Sequence, residues 1–130
     1  MDCPLEFTEN QFNLIESILN EELIDSGVQS ALLIDLAGNI IVGIDDGQSN
    51  HDLYALAALA AGNFGTVNAM AEIIGEEEFS LLFHKGEKEN IHFSKVSEDL
   101  LLLTIFGKDL SLGFLRLKVT EVIKRIKSVI

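Results

Sequence analysis

Apolar and polar positions along this chain change period several times, and each change marks an element. From Thr8 onward, Phe12, Ile15, Leu19 and Leu23 recur at spacings of three and four, with Ile18 beside them. That is the period of one face of an α-helix. Thr8 followed by Gln11 has the spacing of a capping box, in which the hydroxyl and the side-chain amide satisfy each other's backbone N–H groups. Gly27 stands where a left-handed terminating residue belongs. Two short apolar runs follow, Ala31 to Ile34 and Ile40 to Ile44. Between them, Asp35-Leu36-Ala37-Gly38-Asn39 supplies a turn-initiating Asp and a Gly able to take positive φ, which predicts a tight β-hairpin.

The segment Asp45 to Asn50 has loop composition. Ser49 or Asn50 can cap a second helix there, and Asp52 suits its dipole. This helix, His51 to Ile74, carries no charged residue between Leu53 and Ala71. Leu53, Leu56, Ala60, Phe64, Val67, Ala71 and Ile74 make one apolar face. The opposite face is uncharged too, but small: Tyr54, Ala58, Ala61, Gly62, Gly65 and Ala69. A helix without a polar side needs cover all round. A membrane is the poorer cover, because the stretch is Ala- and Gly-rich, interrupted by Asn63, Thr66 and Asn68, and flanked by acids without Lys or Arg. Cover from within so short a chain is harder to arrange than cover from a second subunit. The reading therefore lays one face on a sheet and the small-residue face against a partner helix.

Past Gly75 and the acidic run Glu76-Glu77-Glu78, strand signals take over. Phe79 to Lys85 and Ile91 to Val96 flank Gly86-Glu87-Lys88-Glu89-Asn90, a hairpin connection. Leu100 to Phe106 is continuously apolar but for Thr104, as expected of a central strand covered on both faces. From Ser111 the helical period returns, with Leu112, Leu115, Val119, Val122, Ile123 and Ile126 inward. The predicted order is α-β-β-α-β-β-β-α: an α/β (α+β) fold, one domain over residues 1–130, with three helices on a five-stranded, mostly antiparallel sheet.

That order, the hairpin built on Ile34 to Ile40, the long Ala-rich central helix and the final Leu112 to Val119 segment resemble the Roadblock / dynein light chain family, with its profilin-like architecture. The likeness extends from Thr8 to Val129 and is greatest to the stand-alone prokaryotic members of the MglB type. The resemblance implies a homodimer in which the third strand, here Phe79 to Lys85 with Leu81, Leu82 and Phe83, pairs with its symmetry mate. It also implies two central helices side by side on one face of the joined sheet, which agrees with the partner inferred for Tyr54, Ala58, Ala61, Gly62, Gly65 and Ala69. Finally, it implies a small Ras-like GTPase as partner, or a motor or signalling complex to scaffold. The arginines are Arg116 and Arg125, both in the last helix. A GTPase docked on the central helix would meet no arginine finger there, and any stimulation of hydrolysis would have to reorganise the GTPase's own residues.

Charge narrows the choice of partners. Residues 1–84 hold 15 Asp or Glu and no Lys or Arg, whereas residues 108–130 hold six basic and two acidic residues. An acidic body repels phosphate backbones, so no nucleic acid is expected, and it steers basic partner surfaces. Cys3 is the single cysteine and nothing near Met1 reads as a signal peptide, which predicts a cytoplasmic protein. No Walker A or Gly-x-Ser-x-Gly sequence occurs. His84 and His92 flank the second hairpin and could pair across it, but a third metal ligand is missing. Asp45-Asp46 and Glu76 to Glu78 read as solvated loop charge. No catalytic residue, metal or cofactor is assigned. Beside the GTPase regulator stand a nucleotide-indifferent scaffold and a ligand-sensing domain with a pocket beneath the central helix.

Overall fold

The computed structural model describes residues 6–48, 50–77 and 82–130. They form α1 (Glu9–Glu22), β1 (Ser30–Asp35), β2 (Ile40–Asp45), α2 (Leu53–Ile73), β3 (Leu82–Lys85), β4 (Glu89–Ser97), β5 (Leu100–Gly107) and α3 (Leu112–Val129). The element order is the predicted one. Phe79, Ser80 and Leu81 of the predicted third strand, Ser49 and Cys3 lie outside the described residues.

The strands lie in the order β2-β1-β5-β4-β3, and all four pairings are antiparallel. β5 sits in the middle and is buried over its first seven residues, which accounts for its unbroken apolar run. Strand alternation then sends successive residues to opposite faces. Ala31, Leu33, Leu100, Leu102 and Phe106 meet α1 and α3 on one side. Leu32, Ile34, Leu101 and Leu103, with Phe93, meet α2 on the other. The result is three layers, with two helices on one face of the sheet and one on the other.

Local chemistry fixes the ends of these elements. Thr8 and Gln11 make the capping box, with Thr8 N–H donating to Gln11 Oε1 (2.8 Å) and Gln11 N–H to Thr8 Oγ1 (3.1 Å). α1 stops earlier than its apolar period implies. A 3-10 turn, Ile24–Ser26, follows it, and Gly27 with φ of 105° closes that turn. In the β1–β2 hairpin, Asp35 Oδ1 accepts from the backbone N–H of Ala37 (3.0 Å) and Asn39 (2.8 Å). Partial burial raises the Asp35 pKa, but these bonds and one from the Asn39 side chain outweigh it and hold the carboxyl below its usual value. Gly38 has φ of 93°, and a Cβ there would stand 2.9 Å from the Ala58 Cα. The turn therefore lies directly against α2.

On the two-helix side, α1 and α3 run antiparallel. Gln11 Nε2 donates to the carbonyl of Val129 (3.1 Å), while Arg125 reaches Glu21 (3.3 Å) and Glu22 (3.0 Å) and Lys118 reaches Glu22 (3.6 Å). The inward residues of α3 are Leu115, Val119, Val122 and Ile126, with Leu112 and Ile123 half-buried at the margin of the same core.

Candidate partner-binding face

α2 is capped by Asp52, whose Oδ1 accepts from Ala55 N–H at 3.1 Å, rather than by the earlier Ser49 or Asn50. Its far end closes with Gly75 at φ 86°, Gly75 N–H bonding to the Glu72 carbonyl and Glu76 N–H to that of Ala71. This is the Schellman pattern, which needs a left-handed residue after the helix. The inward residues are Ala57, Ala60, Ala61, Phe64 and Ala71. Four of the five are alanine, so the helix lies close on Leu32, Ile34, Leu101 and Leu103. Although uncharged from Leu53 to Ala71, α2 is not long and apolar enough to cross a membrane, nor is any other helix among the described residues.

The outward side is apolar as well. Tyr54, Leu59 and Ile73 are 80%, 71% and 83% exposed, and Met70 and Ile74 are also on the surface. Ala55, Leu59, Gly62, Thr66, Met70 and Ile73 follow one another at steps of four and three, so they form a continuous stripe. That stripe was legible in the sequence, but a division into large and small residues passes over Leu59, Met70 and Ile73. Two positions are corrected. Ala61, placed on the outer face, is 8% exposed and packs inward beside Ala57 and Phe64; Ile74, placed inward, is the C-cap residue and 67% exposed. Tyr54, Ala58, Gly62, Gly65 and Ala69 are on the surface, with Ala58 beside the Gly38 turn.

α2 packs over β1 and β5, which leaves a cleft of about 430 Å³ between its flank and β4. Ala55, Leu56 and Leu59 face Ile91 and Ile105 across it. His51 Nε2 and Glu89 Oε1, 2.9 Å apart, bridge its end. The cleft lies beside the helix and not beneath it. Farther out, β3 pairs with β4 along one side and is the last strand of the sheet. Phe83 turns to the two-helix face, where it stacks on Phe106 at 6.1 Å. Leu82 contributes backbone to the edge, while Phe79 and Leu81 lie outside the described residues.

The two histidines of the second hairpin do not meet. His84 is opposite Ile91 and His92 opposite Phe83; as neighbouring positions of the ladder, they point to opposite faces of the sheet. His84 packs edge-on against Phe93 at 5.7 Å. His92 is 4% exposed, on the two-helix side. Burial first, and the Arg116 charge second, push its pKa down to about 4. Its Nδ1 is 3.2 Å from Ser94 Oγ, but a cation near the ring is the opposite of what a Ser–His base requires. No group of three metal-ligating side chains occurs among the described residues. Asp45 and Asp46 are tied into their own loop, accepting from Gly47 N–H (2.8 Å) and Gln48 N–H (2.9 Å). Arg116 and Arg125 belong to α3, across the sheet from α2.

Residues 14–106 match the family model of the Roadblock/LC7 domain. No curated protein matches the sequence. Among solved structures, the gliding protein MglB from Thermus thermophilus gives a TM-score of 0.88 at 25% identity, covering 99% of this chain and 97% of that one. MglB from Myxococcus xanthus gives 0.85 at 29% identity, covering 97% of each chain. A profilin from Schizosaccharomyces pombe shares the fold alone, with a TM-score of 0.63 at 13% identity over 88% of this chain and 97% of its own.

Proposed function

We propose, from the premise that this chain belongs to the Roadblock/LC7 family, that it works as a homodimeric adaptor and regulator of a small Ras-like GTPase. The observation that carries this reading is the outer stripe of α2, where Leu59, Met70 and Ile73 stand exposed on a helix without a charged residue from Leu53 to Ala71. Apolar surface of this extent and continuity marks an association site. Gly62 and Gly65 support the same reading. Each costs the helix about 1 kcal/mol relative to alanine, yet apart from the adjoining residues and the helix's own backbone no atom of the described residues lies within 4 Å of where either Cβ would be. Nothing within one subunit calls for glycine there; a closely approaching partner helix does. The β3 edge is a second surface that pairing would protect. The likeness to MglB supports a regulator, and the acidic N-terminal two-thirds suits a basic partner surface. With both arginines on α3, the chain is a regulator without an active site or arginine finger of its own.

The test is binding of the full chain to a Ras-like GTPase of the same organism, loaded with a non-hydrolysable GTP analogue or with GDP. A clear preference for one nucleotide state is expected, because only differential affinity couples to a switch. Equal or absent binding would replace this reading with the nucleotide-indifferent scaffold.

A further inference from the structure

On the two-helix face, α1 lies on β2 and α3 reaches β4, which leaves the outermost strand, β3, at an open margin. A groove of about 670 Å³ occupies that margin beside the N-terminal end of α3. Phe83, Leu110 and Leu112 give it an apolar lining, while Lys85 enters from β3 and Lys108 from the loop before α3. Lys85, Asn90 and Phe106 are cross-strand neighbours in one row of the sheet. Lys88 lines an adjoining cleft that shares Lys108 and Leu110. The chain has 21 Asp or Glu against nine Lys or Arg, yet Lys85, Lys88 and Lys108 make no ion pair among the described residues. Glu87 and Asp109 line the same two clefts and pair with none of them. No acid stands in the first turn of α3, so the positive end of its dipole adds to the lysines. Asn90 is 7% exposed, and its Oδ1 accepts from Gly86 N–H at 3.1 Å. Its Nδ2 is not sealed off by the chain and has no acceptor among the described residues. A donor held this deep ordinarily has a partner.

We infer that this groove docks an acidic segment of a second protein, one carboxylate accepting from Asn90 Nδ2 beside Lys85 and Lys108 and an adjacent apolar side chain resting on Phe83 and Leu112. A carboxylate suits a floor donor flanked by ammonium groups, because charge-assisted hydrogen bonds are the stronger ones. The apolar lining asks for hydrocarbon next to that charge, which a free phosphate lacks. A net charge of −12 opposes approach to an anionic bilayer or a nucleic acid, whereas a short peptide feels mainly the nearby lysines. The groove and the outer stripe of α2 lie on opposite faces of the sheet. One subunit can therefore hold two partners at once, of opposite charge. This inference goes beyond the GTPase reading and does not depend on it.

Fluorescence anisotropy of the full chain tests it, with a short fluorescein-labelled peptide in which glutamates flank a central Phe-Leu pair. Saturable binding is expected, weakening as salt is raised. Lys85→Glu with Lys108→Glu should weaken it roughly tenfold or more, and the isosteric Asn90→Asp should weaken it as well. Lys124→Glu with Lys127→Glu makes the same change in net charge on exposed positions in the far half of α3, and should leave the affinity within about twofold. Thermal unfolding checks that each variant is folded. Absent binding, equal loss in the two double variants, or equal binding of a peptide with alanines in place of Phe-Leu overturns the inference. Absent binding together with weaker self-association of the Lys85→Glu, Lys108→Glu chain would give the groove to a second copy instead. A chain that binds the peptide but ignores the nucleotide state of the GTPase keeps this inference and loses the earlier reading.

Discussion

On one side of the sheet, α1 and α3 lie together over Leu33, Leu100, Leu102 and Phe106, and Arg125 and Lys118 tie the two helices through Glu21 and Glu22. On the other side α2 lies alone over Leu32, Ile34, Leu101 and Leu103, with a cleft open beside it. Both layers bury apolar side chains on the same sheet, but only the first presents an outer surface dominated by polar groups. α1 shows Asn13, Glu16, Ser17 and Glu21 to solvent beside Phe12 and Leu14, and α3 shows Arg116, Thr120 and Lys124 beside Phe114 and Leu117. α2 shows Tyr54, Leu59, Met70 and Ile73. One layer is completed by its own chain. The other buries half of a helix and leaves the remaining half exposed and apolar, and that division is what the proposed partner-binding face rests on.

Three measurements press on this contrast. The largest effect belongs to the completed side. Leu19 is fully enclosed between α1, α3 and the sheet, and Leu19→Ala should cost about 3 kcal/mol of unfolding free energy, as large-to-small changes in cores do. Chemical denaturation measures it, and a loss under about 1 kcal/mol would mean that this layer is loosely packed.

A pH-dependent effect follows on the same side. His92 folds with its pKa pushed down to about 4 from an ordinary 6.5. Below pH 6.5 the unfolded chain takes up a proton there that the folded chain refuses, so this contribution to stability is complete above 6.5 and falls as the pH drops toward 4. At about 1.4 kcal/mol per pKa unit, the span is on the order of 3 kcal/mol. His92→Gln should flatten that part of the stability–pH curve relative to the unmodified chain. Parallel curves for the two proteins would show that the ring is not buried in its neutral form.

The smallest effect on folding is expected on the open side. Leu59→Ala should leave the free energy of folding of one subunit within about 0.5 kcal/mol of its original value, while self-association measured by sedimentation weakens. A folding loss comparable to that of Leu19→Ala would place the outer flank of α2 inside a single chain's core and erase the contrast.

Element type and order were legible because each rests on short-range physics. The capping box at Thr8 and Gln11, the Asp35 and Gly38 hairpin turn and the central position of Leu100 to Phe106 all follow from a few adjacent residues and their period. The apolar wrapping of α2, and hence its need for cover, was legible for the same reason. What lay beyond the sequence depended on register and on neighbours far along the chain. His84 and His92 flank one hairpin, but the β3–β4 register sets them on opposite faces. Ala61 resembles its small outward neighbours and Ile74 an inward one, but where the helix rests on β1 and β5, and where Gly75 ends it, decided otherwise. Asn63 was visible as an interruption of a hydrophobic stretch. That its amide nitrogen is enclosed, with no acceptor among the described residues, required the fold. Periodicity establishes which residues share a side of a helix or strand, because that is a property of the backbone screw. Which side is covered, and by what, is settled only when distant strands and helices compete for the same apolar surface.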